Sequence, residues 1–298
     1  MKNTLNTTPT ENDRWEEMAK TLGKKAGYRI LRQLPKPFAI VADDILENRR
    51  IIALIDTETT GLDPDNDTII ELAIQLLAVG QNGEVIGYIT PNSWLQDPGL
   101  PLDPKIFRIT GLTDTDLAGR KIDIEKVTKL LKRADLIVAH NADFGTQFVE
   151  KLLPEIRLKE WACLCSEIDW LDLGYEGRSQ NHLLLQHSWF ATAHRAATDV
   201  WSLFWLLTQH RDRNGQTYLR TLISAADRST VLVEATNAGY SKKEYLRARG
   251  YRWNPKRGVW WTIVECADRN AERDWLEHIG VPAPRFFNQT TAQRHRPR

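Results

Sequence analysis

The stretch from residue 51 to 63, IIALIDTETTGLD, most constrains the fold because an apolar strand ends there on two acids. Asp56 and Glu58 are separated by Thr57, and side chains two residues apart on a strand point to the same face. Two neighbouring carboxylates repel each other, and burying them unpaired forces one to take up a proton. The sequence therefore predicts a positive partner, either a basic side chain or a divalent cation, unless the strand end is simply solvated.

The rest of the pattern predicts a mixed α/β domain. Further apolar strands are predicted at 68–79, 84–90, 135–139 and 161–165, and helices at 103–109, 123–133, after Phe144, and at 194–210. This order of elements favours a mixed sheet flanked by helices. Glu71, inside the apolar segment IIELAI, is either a buried polar residue near a site or an edge residue.

We divide the chain into four parts: an N-terminal helical arm over 1–48, an α/β domain over 49–215, a small βαββα module over 228–280, and a loose tail over 281–298. The charge is uneven along these parts. Residues 241–298 carry 13 Lys and Arg against 6 Asp and Glu, although the whole chain has a net charge of only +1. A basic C-terminal part on an acidic body indicates a polyanionic partner.

Composition places the chain among soluble globular proteins, with 42% apolar and 27% charged residues. No segment is long and apolar enough to span a bilayer, and the first residues lack the apolar core of a secretory signal. The three cysteines are odd in number, which favours free thiols in a reducing compartment. We therefore expect a cytoplasmic protein with no membrane partner.

Other acids stand at element boundaries of the α/β domain, as Asp56 and Glu58 do. Asp143 follows the strand at 135–139, and Asp199 lies on the long helix, with His194 at that helix's start. Taken singly, Asp143 suits a helix N-cap and His194 suits an ordinary helix start. Carboxylate oxygens of this kind are ligands for Mg²⁺ or Mn²⁺ rather than for zinc.

Three motifs in family order resemble the DEDDh family of 3′→5′ exonucleases, which includes the DnaQ-like and ribonuclease T-like enzymes. They are Asp56-Thr57-Glu58-Thr59-Thr60-Gly61, the segment VAHNADF with Asp143, and His194 to Asp199. The segment FRITGLTDTDL also resembles the family's TGIT segment, and the resemblance covers roughly residues 51–210. One departure is that many relatives carry an acid directly after the Phe of the second motif, where this chain has Gly145.

The resemblance implies a ribonuclease H-like fold and phosphodiester hydrolysis with two Mg²⁺ or Mn²⁺ ions about 3.5–4 Å apart. It implies that Asp56 bridges both ions, that Glu58 and Asp199 hold the ion of the attacking water, and that Asp143 supports the other ion. His194 would take the proton from that water. The expected substrate-binding residues are Thr57, Thr59, Thr60, Gly61, Leu62, His140, Asn141 and Phe144.

The C-terminal module mixes basic and aromatic residues, a combination typical of single-strand binding. Its segment KKEYLRARGYRWNPKRGVWW also resembles a small module that accompanies nucleic-acid enzymes. The alternative is that the aromatic residues form a small core and the charges are only solvated. The candidate nucleic-acid contacts are Lys242, Lys243, Arg247, Arg249, Arg252, Lys256 and Arg257.

Together these features predict a metal-dependent 3′→5′ exonuclease that acts on single-stranded 3′ ends, with DNA favoured over RNA, and that releases nucleoside 5′-monophosphates. Two alternatives remain open. One is a catalytically silent protein that binds 3′ ends and acts with a polymerase or repair partner. The other is an enzyme that degrades very short RNA, as oligoribonuclease does.

Overall fold

A computed structural model describes residues 11–40, 49–192 and 194–296. The N-terminal arm contains helix α1 (Glu11–Gly23) and the short strand β1 (Arg32–Gln33). The predicted arm also included 1–10 and 41–48, which lie outside the described residues. Within the described ranges, no helix is long and apolar enough to cross a membrane.

The α/β domain follows the predicted order of elements, with additions. It contains β2 (Arg50–Thr59), β3 (Ile69–Val79), β4 (Val85–Tyr88), β5 (Asn92–Leu95), α2 (Pro104–Thr110), α3 (Asp114–Leu117), α4 (Ile124–Arg133), β6 (Leu136–Ala139), α5 (Ala142–Leu152), β7 (Trp161–Cys163), α6 (Leu164–Glu167), α7 (Gln180–Gln186), β8 (Trp189–Phe190), α8 (Ala196–Gln209) and α9 (Tyr218–Asp227).

The central sheet has the order β4-β3-β2-β6-β7, and β5 also pairs with β3. Strand β2 is antiparallel to β3 and parallel to β6, so the sheet is mixed. Alternation along β2 sends Ile52 and Leu54 to the face that α8 covers and Ile55 to the face that α4 and α5 cover. The prediction of a mixed sheet flanked by helices is confirmed, and the end of its central strand lies beside the start of α8.

The C-terminal module contains β9 (Thr230–Ala235), α10 (Lys243–Ala248), β10 (Arg252–Asn254), β11 (Val259–Glu265), α11 (Arg269–His278), β12 (Arg285–Gln289) and α12 (Thr291–Arg294). Its strands form an antiparallel sheet in the order β10-β11-β9-β12. Val231 and Val233 of β9 pack with Leu246 of α10 and Leu276 of α11, so one face of the sheet is covered by helices.

The expectation of a loose tail after 281 is wrong for most of that segment. Strand β12 adds a fourth strand beside β9, and residues 290–296, which we call the C-terminal strap, then run across the α/β domain. Buried Arg294 of the strap forms an ion pair with buried Glu167, and Arg296 Nη2 lies 2.7 Å from Glu150 Oε1. The tail is ordered because these arginines neutralise acids that would otherwise be buried without a partner.

Candidate active site

Three carboxylates meet at the end of β2. Asp56 and Glu58 lie on that strand, and Asp199 lies in the first turn of α8. One oxygen from each acid lies within 4.8 Å of an oxygen from the other two. The strand period and the packing of α8 on β2 together produce this group, as the sequence motifs predicted.

The three-acid group consists of carboxylates alone, so it contains no positive charge to balance them. Burial and the charges of Asp199 and Glu58 raise the pKa of Asp56 well above its usual range. Burial, with the charges of Asp199 and Glu71, raises the pKa of Glu58 to about 7. Burial also raises the pKa of Asp199 to about 6. Such shifts are expected where carboxylates are crowded before a cation is bound.

Arg195, the basic residue at the start of α8 next to the three-acid group, is already paired with another acid, Glu71. Glu71 is directly opposite Glu58 in the β2–β3 register and is only 1% exposed. Its oxygens accept hydrogen bonds from Arg195 Nε at 2.9 Å, from Ser93 Oγ at 2.6 Å and from the backbone N–H of Ala196 at 3.2 Å. Glu71 and Arg195 therefore fix the start of α8, and with it Asp199, instead of neutralising the three-acid group.

His194 precedes α8 with φ of +64°, a left-handed backbone conformation that is uncommon for residues other than glycine. Its backbone N–H donates a hydrogen bond of 2.8 Å to Asp199 Oδ2. This tight turn orients the carboxylate of Asp199 and leaves His194 exposed beside it.

Asp143 is not brought into the three-acid group, which differs from the expectation for a fourth metal ligand. Its Oδ1 lies 2.7 Å from Nδ1 of His295 in the C-terminal strap, and its side chain is 48% exposed. The physical reason is its position on α5, where it faces the strap. Gly145, two positions later, faces Ala139 and Trp161 instead.

The segment that follows the two acids is an ordered loop. Thr59 Oγ1 donates to the carbonyl of Gly61 at 2.5 Å, and Thr60 Oγ1 donates to Asp67 Oδ1 at 2.9 Å. A Cβ at Gly61 would lie only 2.4 Å from Asp67 Oδ2, so a larger residue there would displace the Asp67 side chain. Leu62 is 84% exposed at the tip of this segment, where it is free to contact a ligand.

The other predicted substrate residues surround the start of α5. Asn141 is exposed, while Phe144 is half-buried and packs on Phe148 with ring centroids 4.7 Å apart. Burial lowers the pKa of His140 to about 4, so its imidazole is neutral near neutral pH. The structure thus places Asn141 and Phe144 at the surface and His140 beneath it.

The donor set fits a divalent cation. Hard carboxylate oxygens from Asp56, Glu58 and Asp199 are the ligands that Mg²⁺ and Mn²⁺ prefer, and a bound dication would reverse the repulsion that raises their pKa values. The motif acids made this group predictable. Of the two alternatives for Glu71, the structure shows the buried polar residue near the site, and its pairing with Arg195 was missed.

The seven basic candidates of the C-terminal module separate into different environments. Arg249 Nη2 lies 2.9 Å from buried Glu272, and Arg257 pairs with buried Glu234, so both have structural partners. Lys242, Lys243 and Arg247 belong to the helical side of the module. Arg252 and Lys256 line a cleft of about 540 Å³ between the module and the α/β domain, and Asp143 lines it from the other side.

Sequence comparison gives related proteins for the α/β domain. The PolC-type DNA polymerase III of Listeria monocytogenes is 32% identical over 148 residues, which are 46% of this chain and 10% of the polymerase. Ribonuclease T of Shewanella frigidimarina is 29% identical over 119 residues, which are 36% of this chain and 54% of that protein. The chain therefore spans about a tenth of the polymerase and about half of ribonuclease T.

Among solved structures, exonuclease X in complex with 5′-overhanging duplex DNA aligns with 57% of this chain and 99% of its own, at 24% identity and a TM-score of 0.39. The family described as "Exonuclease", RNase_T, matches residues 53–201, which is half of the chain. Because this match runs from β2 into α8 and includes the three-acid group, the chain belongs to the exonuclease family.

Proposed function

We propose that this chain is a 3′→5′ exonuclease that hydrolyses phosphodiester bonds at the 3′ end of single-stranded nucleic acid, with DNA favoured over RNA. The observation that supports it best is the group of three half-buried carboxylates, whose raised pKa values are those of a site built for cations. Membership of the exonuclease family supports the same chemistry. The related polymerase makes a polymerase or repair assembly the partner to test.

Asp56, Glu58 and Asp199 would hold two Mg²⁺ or Mn²⁺ ions. When bound, these ions supply charge neutralisation for the phosphate and lower the pKa of the attacking water. His194, exposed beside Asp199, accepts the proton of that water. The backbone of 57–61 positions the terminal nucleotide, and Leu62 and Phe144 contact its base.

The reaction balances as a simple hydrolysis. The water oxygen forms a bond to phosphorus, and the bond from phosphorus to the 3′ oxygen of the preceding nucleotide breaks. The terminal unit leaves as a nucleoside 5′-monophosphate, and the shortened strand regains a 3′-hydroxyl after its oxygen takes a proton from solvent. Glu71 and Arg195 act only through α8, by holding Asp199 in place.

The test uses oligomers of one sequence as DNA and as RNA, each labelled at the 5′ end, with Mg²⁺, Mn²⁺ or EDTA. A 3′→5′ enzyme gives a ladder of progressively shorter labelled strands with unlabelled mononucleotides, whereas attack from the 5′ end releases the label in the first product. We expect the ladder with either metal, no ladder with EDTA, and faster shortening of DNA. Release of labelled mononucleotide at the start of the reaction contradicts the proposed direction.

The position of Asp143 favours one alternative, a catalytically silent protein that binds 3′ ends. Its carboxylate is paired with His295 and is outside the three-acid group. This alternative predicts that the chain retains 3′-ended strands in a filter-binding assay and leaves every oligomer intact in Mg²⁺ and in Mn²⁺. Intact oligomers under both conditions would replace the enzyme proposal with the binding protein.

A further inference from the structure

The C-terminal sheet has one face covered by helices and one face that borders the cleft. Alternation along β10 places Arg252 and Asn254 on the cleft side, and alternation along β11 places Val259, Trp261 and Ile263 there. The alternate residue Trp260 instead packs with the helical side. A sheet face that carries an exposed cation and an aromatic ring thus faces the domain that contains the candidate active site.

Most charges around the cleft are already balanced. Ion pairs join Arg228 with Glu265, Arg257 with Glu234, Arg294 with Glu167, and Arg296 with Glu150. Arg252 and Lys256 are different. Both are exposed, and within 11–40, 49–192 and 194–296 neither has a carboxylate at ion-pair distance.

The two cations approach the α/β domain from the module. Hydrogen bonds from Asn66 and Asp65 lower the pKa of Asp63, and the positive charge of Lys256 lowers it further. Asp63 lies just after the exposed Leu62, in the loop that follows the acid motif. Lys256 also lines the same cleft as Asp143, the acid of the second motif, so it faces the part of the α/β domain that carries the motifs.

Arg252 and Trp261 form a second candidate contact point in the cleft. The guanidinium carbon of Arg252 lies 5.7 Å from the ring centroid of Trp261, a cation–π distance, and Trp261 is partly exposed. Single strands bind where cations neutralise phosphates and aromatic faces stack on unpaired bases. The volume of the cleft is within the range of about 300–1,000 Å³ for sites that hold small ligands, which fits a strand better than a duplex.

We propose that this cleft binds the single strand that leads to the 3′ end, with Arg252 and Lys256 on its phosphates and Trp261 on one of its bases. The inference deepens the proposed function by assigning the path of the strand upstream of the scissile bond. The predicted basic surface of seven residues is thereby reduced to two cations. The remaining five act in the structure of the module or lie on its helical side.

The test compares the full-length wild type with Arg252→Ala/Lys256→Ala and with a control of equal charge loss, Lys24→Ala/Lys25→Ala, in the exposed part of the N-terminal arm. Binding of a fluorescent oligothymidylate of about 16 nucleotides is followed by anisotropy in EDTA, which prevents hydrolysis. Each phosphate contact on a single strand contributes about 0.7 to the salt slope, so two contacts make affinity fall about 7-fold between about 50 and 200 mM salt.

We expect the wild type and the control to show this 7-fold salt-dependent component, and the cleft variant to lack it and to bind more weakly. The matching duplex should compete poorly. Equal affinity and equal salt slope in all three proteins overturn the inference, as does equal weakening in both variants or a duplex that competes as well as the single strand. A matched oligouridylate shows whether the cleft distinguishes RNA from DNA.

Hydrolysis in Mg²⁺ separates this inference from the proposed function. The cleft variant should lose kcat/KM on the long oligomer and retain it on a dinucleotide, because the one internucleotide phosphate of a dinucleotide is the scissile phosphate and none is left for Arg252 and Lys256. A chain that cleaves neither substrate but shows cleft-dependent binding contradicts the proposed function alone. A chain that cleaves both with unchanged kcat/KM in the cleft variant contradicts the cleft alone.

Discussion

Replacing Glu58 with glutamine should stabilise the metal-free protein, and only at high pH. The folded pKa of Glu58 is about 7, above its usual 4.5, so the folded state binds a proton that the unfolded state releases between these values. Stability of the wild type is therefore lost as pH rises from about 4.5 through about 7, since the unfolded state then holds fewer protons. Glutamine keeps the shape of the side chain and removes the charge.

The magnitude follows from the size of the rise. Each tenfold change in acidity corresponds to about 1.4 kcal/mol, so a rise from 4.5 to about 7 corresponds to about 3 kcal/mol at about pH 8. For a chain of 298 residues that unfolds cooperatively, this is a gain of about 5 °C in melting temperature. At about pH 4.5 the carboxyl group of Glu58 is protonated in the folded state, so the wild type and the variant should have the same melting temperature.

Melting in EDTA at several pH values, followed by circular dichroism, measures this difference. Glu125→Gln is the matched control, because Glu125 is exposed on α4 and pairs with exposed Lys129. Adding Mg²⁺ at about pH 8 should raise the melting temperature of the wild type more than that of the variant. The reasoning would be refuted if Glu58→Gln and the wild type differed in melting temperature by the same amount at both ends of the pH range, or if the variant were less stable than the wild type at about pH 8.

Three further predictions concern single substitutions. Asp56→Asn should reduce nucleotide release from labelled oligomers to the background rate, while Asp143→Asn, outside the three-acid group, should retain more activity. Arg294→Ala should lower the free energy of unfolding in urea by about 3 kcal/mol because it removes the arginine that neutralises Glu167 and leaves the longer contact with His295 Nε2 at 3.4 Å, whereas Arg228→Ala, in an exposed pair, should lower it by less than about 1 kcal/mol. Arg195→Met should weaken Mn²⁺ binding by about 10- to 100-fold in calorimetry, since it loosens the start of α8.

The sequence predicted the elements whose period is set by local burial. The side chains of β2 alternate between two helix-covered faces, and the strand carries Asp56 and Glu58 near its end. Both the strand and its acids could therefore be recognised from the sequence of the motif. The long helix α8 was equally clear because its apolar residues recur at helical spacing. Asp199 was then placed beside the strand by the family order of the motifs.

What the sequence did not predict depends on contacts between distant segments. The pairing of Asp143 with His295 joins residues 152 positions apart, and no local pattern encodes it. The sequence of β12, RFFNQ, has polar residues at both ends and does not by itself predict a strand. It forms a strand by pairing with the free edge of β9. Arg249 and Arg257 looked like candidates for phosphate contact, yet each neutralises a buried glutamate.

The C-terminal strap ties the small module to the α/β domain and so fixes the width of the cleft between them. Strand β12 belongs to the module's sheet, and the strap that follows it without a break binds α6 through Arg294 and α5 through Arg296. Moving the module away from the α/β domain would strip two buried or half-buried acids of their partners at once, which is strongly unfavourable. The strap therefore holds the proposed nucleic-acid cleft in a fixed position relative to the three-acid group. Weakening the strap should reduce the binding of long single strands more than it reduces the hydrolysis of short oligomers.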